Sequence, residues 1–539
     1  MASRPGGLAA ALHEIAGRVP DRDALVWRGR TWSWAEQDDR AGRVAAVLAA
    51  HGVGPASEPA TERWHSPHDH VALVLHNGNQ YLEAMIGAAR VRAASVNVNW
   101  RYTASEMVEV LDDCRASAIV YHASLAAEVG GAVERMAGAP RLLLHVDDGS
   151  GTPPLPGAID YDGALAAADP RPVASDASGA DRYVLYTGGT TGRPKGVLWR
   201  QDDFAASCLG VELEPEALAE RAARPRRLRA LATAPFMHGA AQWNALSTWL
   251  AGGTVLVPER TDRFDPDGVI DTWAAEEATS LQLVGDAFAR PLVDAIRRRD
   301  DVPPLRHLIT GGTVLSAPVR RDLTTMIPGV TVVDVLGSSE TGRQAVARAG
   351  DGIDPGAARF RPEAATVVVA EDRRRVLEPG SDEIGWLATA GRVPLGYLGD
   401  RDKTEATFPE IDGRRWAVSG DRARWHADGE IELLGREAVC INTGGEKVFA
   451  EEVEMALAHH PAVADCLVAG RPHPRFGSEI VAVVALRPGA EVTLDELRET
   501  ARPHLAGYKL PRDLVVVDAV KRSPSGKPDY AWARDVATR

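Results

Sequence analysis

The stretch Tyr183–Trp199, YVLYTGGTTGRPKGVLW, decides how the rest of the chain is read. An apolar β-type run enters a loop of Thr187, Gly188, Gly189, Thr190, Thr191, Gly192, Arg193, Pro194, Lys195 and Gly196, and a second apolar run leaves it. Glycines let a backbone approach an anion and turn its N–H groups toward it; threonines add hydroxyl donors and Lys195 adds a positive charge. This is chemistry for a polyphosphate. It differs from the common P-loop, in which Gly-Lys-Ser/Thr opens a helix, because Pro194 precedes the lysine and Gly196 follows it. Taken alone, a glycine-rich hairpin with a surface lysine is the plain alternative.

Outward from this loop, short β-type runs (Val71–Leu75, Ala118–Tyr121, Arg141–Val146, Tyr183–Tyr186, Thr254–Val257, Thr331–Val335) alternate with stretches of helical period (Asn79–Ala89, Ala104–Cys114, Asp265–Glu277). That alternation predicts an α/β protein, a sheet covered by helices. Gly54–Pro67 and the Gly/Pro/Asp-rich region from about Asp147 to Ala180 lack periodic apolar residues and are expected to be surface loops. After Gly435-Arg436 the texture changes. Helices are expected at Ala450–His459, near Leu494–His504 and from about Pro528, with strands near Val463–Val468, Ile480–Leu486 and Leu514–Val517. A domain boundary is therefore expected there, giving domains of residues 1–435 and 436–539.

A chain of 539 residues has room for several domains at roughly 100–200 residues each. Hydrophobic residues make up 45% and charged residues 25%, an ordinary globular balance that excludes disorder and fibres. The formal charge of −14 argues against a surface built to neutralise nucleic-acid phosphates, so no nucleic-acid partner is expected. Cys114, Cys208, Cys440 and Cys466 are widely spaced without a CxxC pair, which reads as reduced thiols and a cytoplasmic location. The first residues, with acidic Glu14, read as an ordinary helix rather than a signal peptide. No apolar run approaches the roughly 18–20 residues needed to cross a bilayer, so no membrane span is expected.

The glycine loop resembles the phosphate-binding signature of the adenylate-forming superfamily, which holds acyl-CoA synthetases, firefly luciferases and the adenylation domains of peptide synthetases. The resemblance extends, in order, over nearly the whole chain. Pro235–Gly239 (PFMHG) resembles the segment whose histidine, here His238, sits beside the substrate carboxylate. Gly311-Gly312-Thr313 resembles the adenosine-side glycine turn. Asp334–Thr341 (DVLGSSET), with Asp334, Leu336, Gly337, Ser338 and Ser339, resembles the motif whose glutamate, here Glu340, binds magnesium together with Thr190. Ser419-Gly420-Asp421 is similar to the motif whose aspartate holds both ribose hydroxyls. Gly435-Arg436 resembles the hinge entry, where the arginine reaches ribose or phosphate. Thr443–Lys447, with Gly444, Gly445 and Glu446, resembles the loop that arrives for the thioester step, and Ser523–Pro528 the loop whose lysine, here Lys527, contacts the carboxylate and α-phosphate.

The resemblance implies a large N-terminal domain of two sheet-and-helix subdomains plus a small β-barrel-like part, followed by a small mobile α+β domain. It implies ATP and its product AMP, Mg2+ and coenzyme A, with a small-molecule carboxylic acid as partner, and it leaves a homodimer open. The segments GREAVCINTGGEKVFAEEVE, AGYKLPRDLVVVDAVKRSPSGKPDYAWA, VGDAFARP and VNVNWRY look like actinobacterial acyl-CoA synthetases acting on bulky steroid or terpenoid acids. Joining a carboxylate to a phosphate brings two anions together. The expected site therefore cancels charge with magnesium on Glu340 and Thr190, Lys195 on the outgoing pyrophosphate and Lys527 at the reacting centre.

Gly285, Gly311, Gly312 and Gly337 fall where this family borders the acyl group, and small residues there leave room for a bulky acid. Backbone turns alone are the other reading of these glycines. Three departures stand out: Leu336 where many members stack an aromatic on adenine, Ser419 in place of the usual threonine, and Val439 where a hinge aspartate or lysine is common. Rival readings are an enzyme performing mainly the thioester half from a supplied acyl adenylate, an amide-forming ligase, and a silent adenylate-binding protein. His65, His68 and His70 have metal-like spacing but lie in a Pro-rich loop without a second ligand cluster, so no metal site is expected there.

Overall fold

The computed structural model describes residues 6–56, 60–187, 194–225, 227–313, 315–348, 359–436, 439–443, 446–474, 477–523 and 526–539. They form two compact units. The first holds Met1–Gln282, Ser339–Arg343 and Arg392–Phe408, and the second Leu283–Ser338, Gln344–Gly391 and Pro409–Arg539.

The first unit is layered α/β, as the alternation predicts. One of its sheets runs in the order Ala94–Asn97, His70–Val74, Ala116–His122, Leu142–Val146 and Ile159–Asp160, with every neighbouring pair parallel. Strands buried on both faces read as unbroken apolar runs, and His70–Val74 is buried at every residue. A second set places Ser280–Leu283, Arg229–Ala232, Thr254–Leu256 and Asp23–Trp27 side by side in parallel, closed by the antiparallel hairpin strand Arg30–Ser33. The covering helices start where the sequence supplies caps. Ser33 with Glu36 opens Trp34–Ala50 and Thr103 with Glu106 opens Ala104–Asp113, each through a reciprocal capping box.

One expected loop is partly core. Within the Asp147–Ala180 region, Ile159–Asp160 adds an edge strand, and Asp160 caps the helix Tyr161–Ala167. Tyr161 is fully buried, and its hydroxyl donates to Oε2 of Glu83 at 2.9 Å. Glu83 is itself fully buried, and its Oε1 accepts Nε of Arg40 and Nδ2 of Asn79, both at 2.7 Å. A single aromatic in a polar stretch shows no period, so pattern reading passes over it.

The second unit carries the parallel pair His307–Gly311 and Thr331–Ser338. It also holds an antiparallel sheet in the order Arg359–Phe360, Ile431–Arg436, Arg414–Trp425, Gly385–Ala390 and Thr366–Val369. Alternation along these strands sends Val368 and Leu387 to one apolar cluster and Val369, Trp386 and Ala388 to another. From Cys440 onward the α+β texture is realised. Glu446–Phe449, Cys440–Thr443, Gly477–Leu486 and Val463–His473 pair antiparallel, and Asp513–Val517 runs parallel beside Gly477–Leu486. Helices Ala450–Leu457, Leu494–Ala501 and Tyr530–Thr538 contribute to its core. The four cysteines are free, and among the described residues no helix is long and apolar enough to cross a membrane.

Candidate active site

In the first unit the glycine loop joins two antiparallel strands, Arg182–Thr187 and Lys195–Arg200, with Thr187 opposite Lys195. The strand-loop-strand reading holds at both ends; Gly188, Gly189, Thr190, Thr191, Gly192 and Arg193 lie outside the described residues. Lys195 places its ammonium 2.9 Å from Asp400. Glu340 accepts the Tyr397 hydroxyl at 2.9 Å, and the carbonyl of the preceding Ser339 accepts Nε1 of Trp199 at 3.0 Å. Tyr397 is in the short strand Gly396–Tyr397, which pairs with Val197 and Leu198 just beyond Lys195. One ladder thus carries the partners of both Lys195 and Glu340.

His238 is the N-cap residue of the helix Gly239–Leu250, and its backbone N–H donates to Pro235 at 3.0 Å. Two buried asparagines fix this segment. Asn77 donates to the Ala234 carbonyl at 2.9 Å and accepts the Phe236 N–H at 2.6 Å. Asn97 donates to the carbonyls of Met237 at 2.7 Å and Tyr186 at 2.8 Å, and accepts the Tyr186 N–H at 2.7 Å. It ties the residue before His238 to the strand that enters the phosphate loop. Sequence reading missed both; Asn97, between Val96 and Val98, carried the signal of an asparagine in an apolar run, which must find partners when buried, whereas Asn77 lies in the polar stretch His76–Gln80 and carried none.

In the second unit the helix Gly285–Ile296 begins on the bond from the Gly285 N–H to Oγ1 of Thr310, at 3.1 Å. Gly311 and Gly312 have backbone reasons to be glycine. A Cβ at Gly311 would lie 2.8 Å from the Val335 carbonyl oxygen, and Gly312 has φ +83°. Oγ1 of the adjacent Thr313 is buried without a hydrogen-bond partner among the described residues. Asp334 bonds Arg320 at 2.6 Å; burial drives its carboxyl above the ordinary range, against that arginine. Leu336 packs against the apolar cluster of Phe360 and Leu387, and Gly337 and Ser338 end the strand Thr331–Ser338.

Asp421 is almost buried, accepts the Ser419 hydroxyl at 2.8 Å and stands opposite Arg436 in the ladder. Glu446 opens the strand Glu446–Phe449, while Gly444 and Gly445 lie outside the described residues. Lys527 closes a tight turn: its N–H donates to the Ser523 hydroxyl at 3.1 Å and its carbonyl accepts the Ser523 N–H at 2.7 Å. That turn rests on the start of the helix Gly285–Ile296. A Cβ on Gly526 would lie 3.0 Å from Ala287 and 3.4 Å from Val284, and one on Gly312 would lie 3.9 Å from the same valine. Val284 therefore gathers the lysine turn, Gly285 and the Gly312-Thr313 turn in one neighbourhood.

The three histidines of the Pro-rich loop go to separate partners: His65 to Thr61, His68 to Asp181 and His70 to the Cys114 carbonyl. Among the described residues no group of three or more His, Cys, Asp or Glu side chains is arranged to hold a metal ion.

Residues 12–398 match the AMP-binding enzyme family and residues 452–527 the AMP-binding enzyme C-terminal domain. The medium-chain acyl-CoA ligase Mig of Mycobacterium avium is 45% identical, over 98% of this chain and 98% of its own. The 3-oxocholest-4-en-26-oate–CoA ligase of Rhodococcus rhodochrous is 37% identical over 96% of this chain and 93% of its own. A crystal structure of the anthranilate CoA ligase AuaEII with anthranoyl-AMP shares the fold, with a TM-score of 0.84 at 21% identity, covering 99% of this chain and 98% of that one. The chain belongs to the AMP-binding enzyme family, and within it to the AMP-forming acyl-CoA ligases.

Proposed function

We propose that the chain activates a bulky carboxylic acid, of steroid, terpenoid or long-chain type, as its adenylate and passes the acyl group to coenzyme A. The observation that carries this reading is the contact of the Lys527 turn with Val284 and Ala287, beside the Gly312-Thr313 turn. The Gly312-Thr313 turn in that neighbourhood carries a buried hydroxyl without a hydrogen-bond partner among the described residues. The steroid acid named for the Rhodococcus rhodochrous relative supports the substrate class, while the Mycobacterium avium relative is named for medium-chain acids.

In this reading Lys527 offsets the repulsion between the attacking carboxylate and the α-phosphate, and Lys195 takes the charge that builds on pyrophosphate. His238, held at its helix start by the bonds around Asn77 and Asn97, borders the acid. Asp421, oriented by Ser419, accepts both ribose hydroxyls, and Arg436 reaches the ribose or phosphate. Gly285, Gly311, Gly312 and Gly337 line the acyl side; Thr187, Gly188, Gly189, Thr191 and Gly192 cradle the phosphates. Asp334, Leu336, Ser338 and Ser339 flank the nucleotide, Leu336 as an apolar wall in place of a stacking ring.

Glu340 and Thr190 are oxygen donors of the hard type that suits Mg2+, and the Tyr397 hydroxyl orients that glutamate as an outer partner should. When bound, the ion neutralises phosphate charge. With a boundary between Gly435 and Arg436, rotation of residues 436–539 removes Lys527 and brings Gly444, Gly445 and Glu446 to the pantetheine. A cytoplasmic location with no nucleic-acid partner completes the proposal. The test is a panel of fatty, aromatic, steroid and diterpenoid acids scored for AMP release and CoA-thiol consumption. Turnover confined to small aromatic acids would overturn the substrate class.

A further inference from the structure

Lys195 has a built partner. Its ammonium lies 2.9 Å from Oδ2 of Asp400, with the two side chains 26% and 25% exposed. The other oxygen of Asp400, Oδ1, accepts the Lys403 N–H at 3.0 Å and so caps the helix Arg401–Thr407. The Asp400 N–H donates to the Tyr397 carbonyl at 3.1 Å, and Tyr397 in turn pairs with Val197, two residues beyond Lys195. The carboxylate and the ammonium are thus delivered by a cap and a ladder, unlike a chance meeting of two flexible surface side chains.

Burial alone would raise the Asp400 carboxyl, yet bonds from Lys195 and the Lys403 N–H outweigh it and hold the group below the ordinary carboxylate range. Asp400 is an anion at neutral pH. Beside a lysine that grips a polyphosphate, an anion opposes the grip by engaging one of three ammonium donors and by cancelling part of the charge. ATP is additionally held by its ribose, adenine and acyl-side contacts, whereas free pyrophosphate depends on the loop alone. The same carboxylate lowers both affinities by the same factor, which leaves ATP held through its other contacts and pyrophosphate weakly held.

We propose that Asp400 is a positioning residue that loosens the hold of Lys195 on inorganic pyrophosphate, so that the product departs before it can reverse adenylate formation. This rests on Lys195 as the pyrophosphate-side cation. Asp400→Asn keeps the helix cap, since asparagine caps as well as aspartate, and removes the charge.

The experiment titrates inorganic pyrophosphate into the full-length protein by calorimetry, with and without magnesium. Asp400→Asn should bind it about tenfold more tightly, the effect of returning one charge-assisted lysine hydrogen bond from the carboxylate to the phosphate. Asp400→Ser, which also caps, should do the same. Lys195→Ala should bind it more weakly, and Asp400→Asn placed in that background should change affinity by less than about threefold, because the carboxylate acts through the lysine. Unchanged or weaker binding by Asp400→Asn and Asp400→Ser overturns the proposal, as does an equal gain without Lys195. If Lys195→Ala has no effect, the reading of Lys195 itself fails, which is a different and separately visible result.

Discussion

Arg522 is the residue whose removal should separate the two half-reactions most cleanly. Its guanidinium grips Asp465 through Nε and one terminal nitrogen, each at 2.7 Å, while the other terminal nitrogen donates to the Gly526 carbonyl at 3.2 Å. The ion pair is sheltered, with side chains 18% and 27% exposed. Gly526 directly precedes Lys527, so the third bond orients the lysine turn. A hydrogen bond from a charged group contributes about 1.5–3 kcal/mol net, and losing it lets the turn sample positions in which Lys527 misses the reacting centre. Arg522→Met should therefore slow acid adenylation by about 10- to 150-fold. The assay compares single-turnover AMP-ester formation from acid and ATP with thioester formation from a supplied acyl adenylate and coenzyme A. The second rate should stay within about threefold of wild type, because the proposed rotation carries Lys527 out of the site before that step. Equal losses in both halves, or no loss in the first, would refute the reasoning.

Other positions give independent checks. Tyr161→Phe leaves Oε2 of the buried Glu83 without the Tyr161 hydroxyl and should cost about 1–3 kcal/mol in denaturant unfolding. Asn97→Ser removes bonds to both Tyr186 and Met237, so acid turnover should fall with a raised KM for the acid, measured by steady-state kinetics. Burial, with repulsion from Glu451, pushes the Glu454 carboxyl up to about 8, although the Val468 N–H, Arg522 and Tyr530 pull it back. The folded protein then keeps a proton that the unfolded chain releases. Its contribution to stability is full below the unfolded value near 4.5 and is lost as pH climbs to about 8. Thermal unfolding of wild type and Glu454→Gln across that range should show a downward slope in the first and a flatter one in the second.

The alternation of strands and helices and the apolar flanks of the glycine loop were legible because apolar runs and glycine punctuation are local signals. Lys195 and Lys527 were singled out by the ordered family resemblance, since a lone lysine in a Gly/Ser/Pro loop is as readily a surface residue. Their partners were not. Asp400 sits about two hundred residues after Lys195, and Asp465 stands far before Arg522; ion pairs formed by folding leave no mark in spacing. Tyr161 was hidden for a related reason, since one buried aromatic in a polar segment creates no period. The glycines proposed to border the acyl side have a double reading, because Gly311 and Gly312 also meet backbone demands that any substrate would leave unchanged.

One chain makes an acyl adenylate and then a coenzyme A thioester. The direct measurement supplies the purified protein with MgATP and a C26 steroid acid, first without and then with coenzyme A, and follows every product by mass spectrometry. The account predicts acid-dependent pyrophosphate and enzyme-bound acyl-AMP in the first stage, then one AMP and one acyl-CoA for each ATP consumed. ADP in place of AMP, or AMP release that does not depend on the acid, would contradict it.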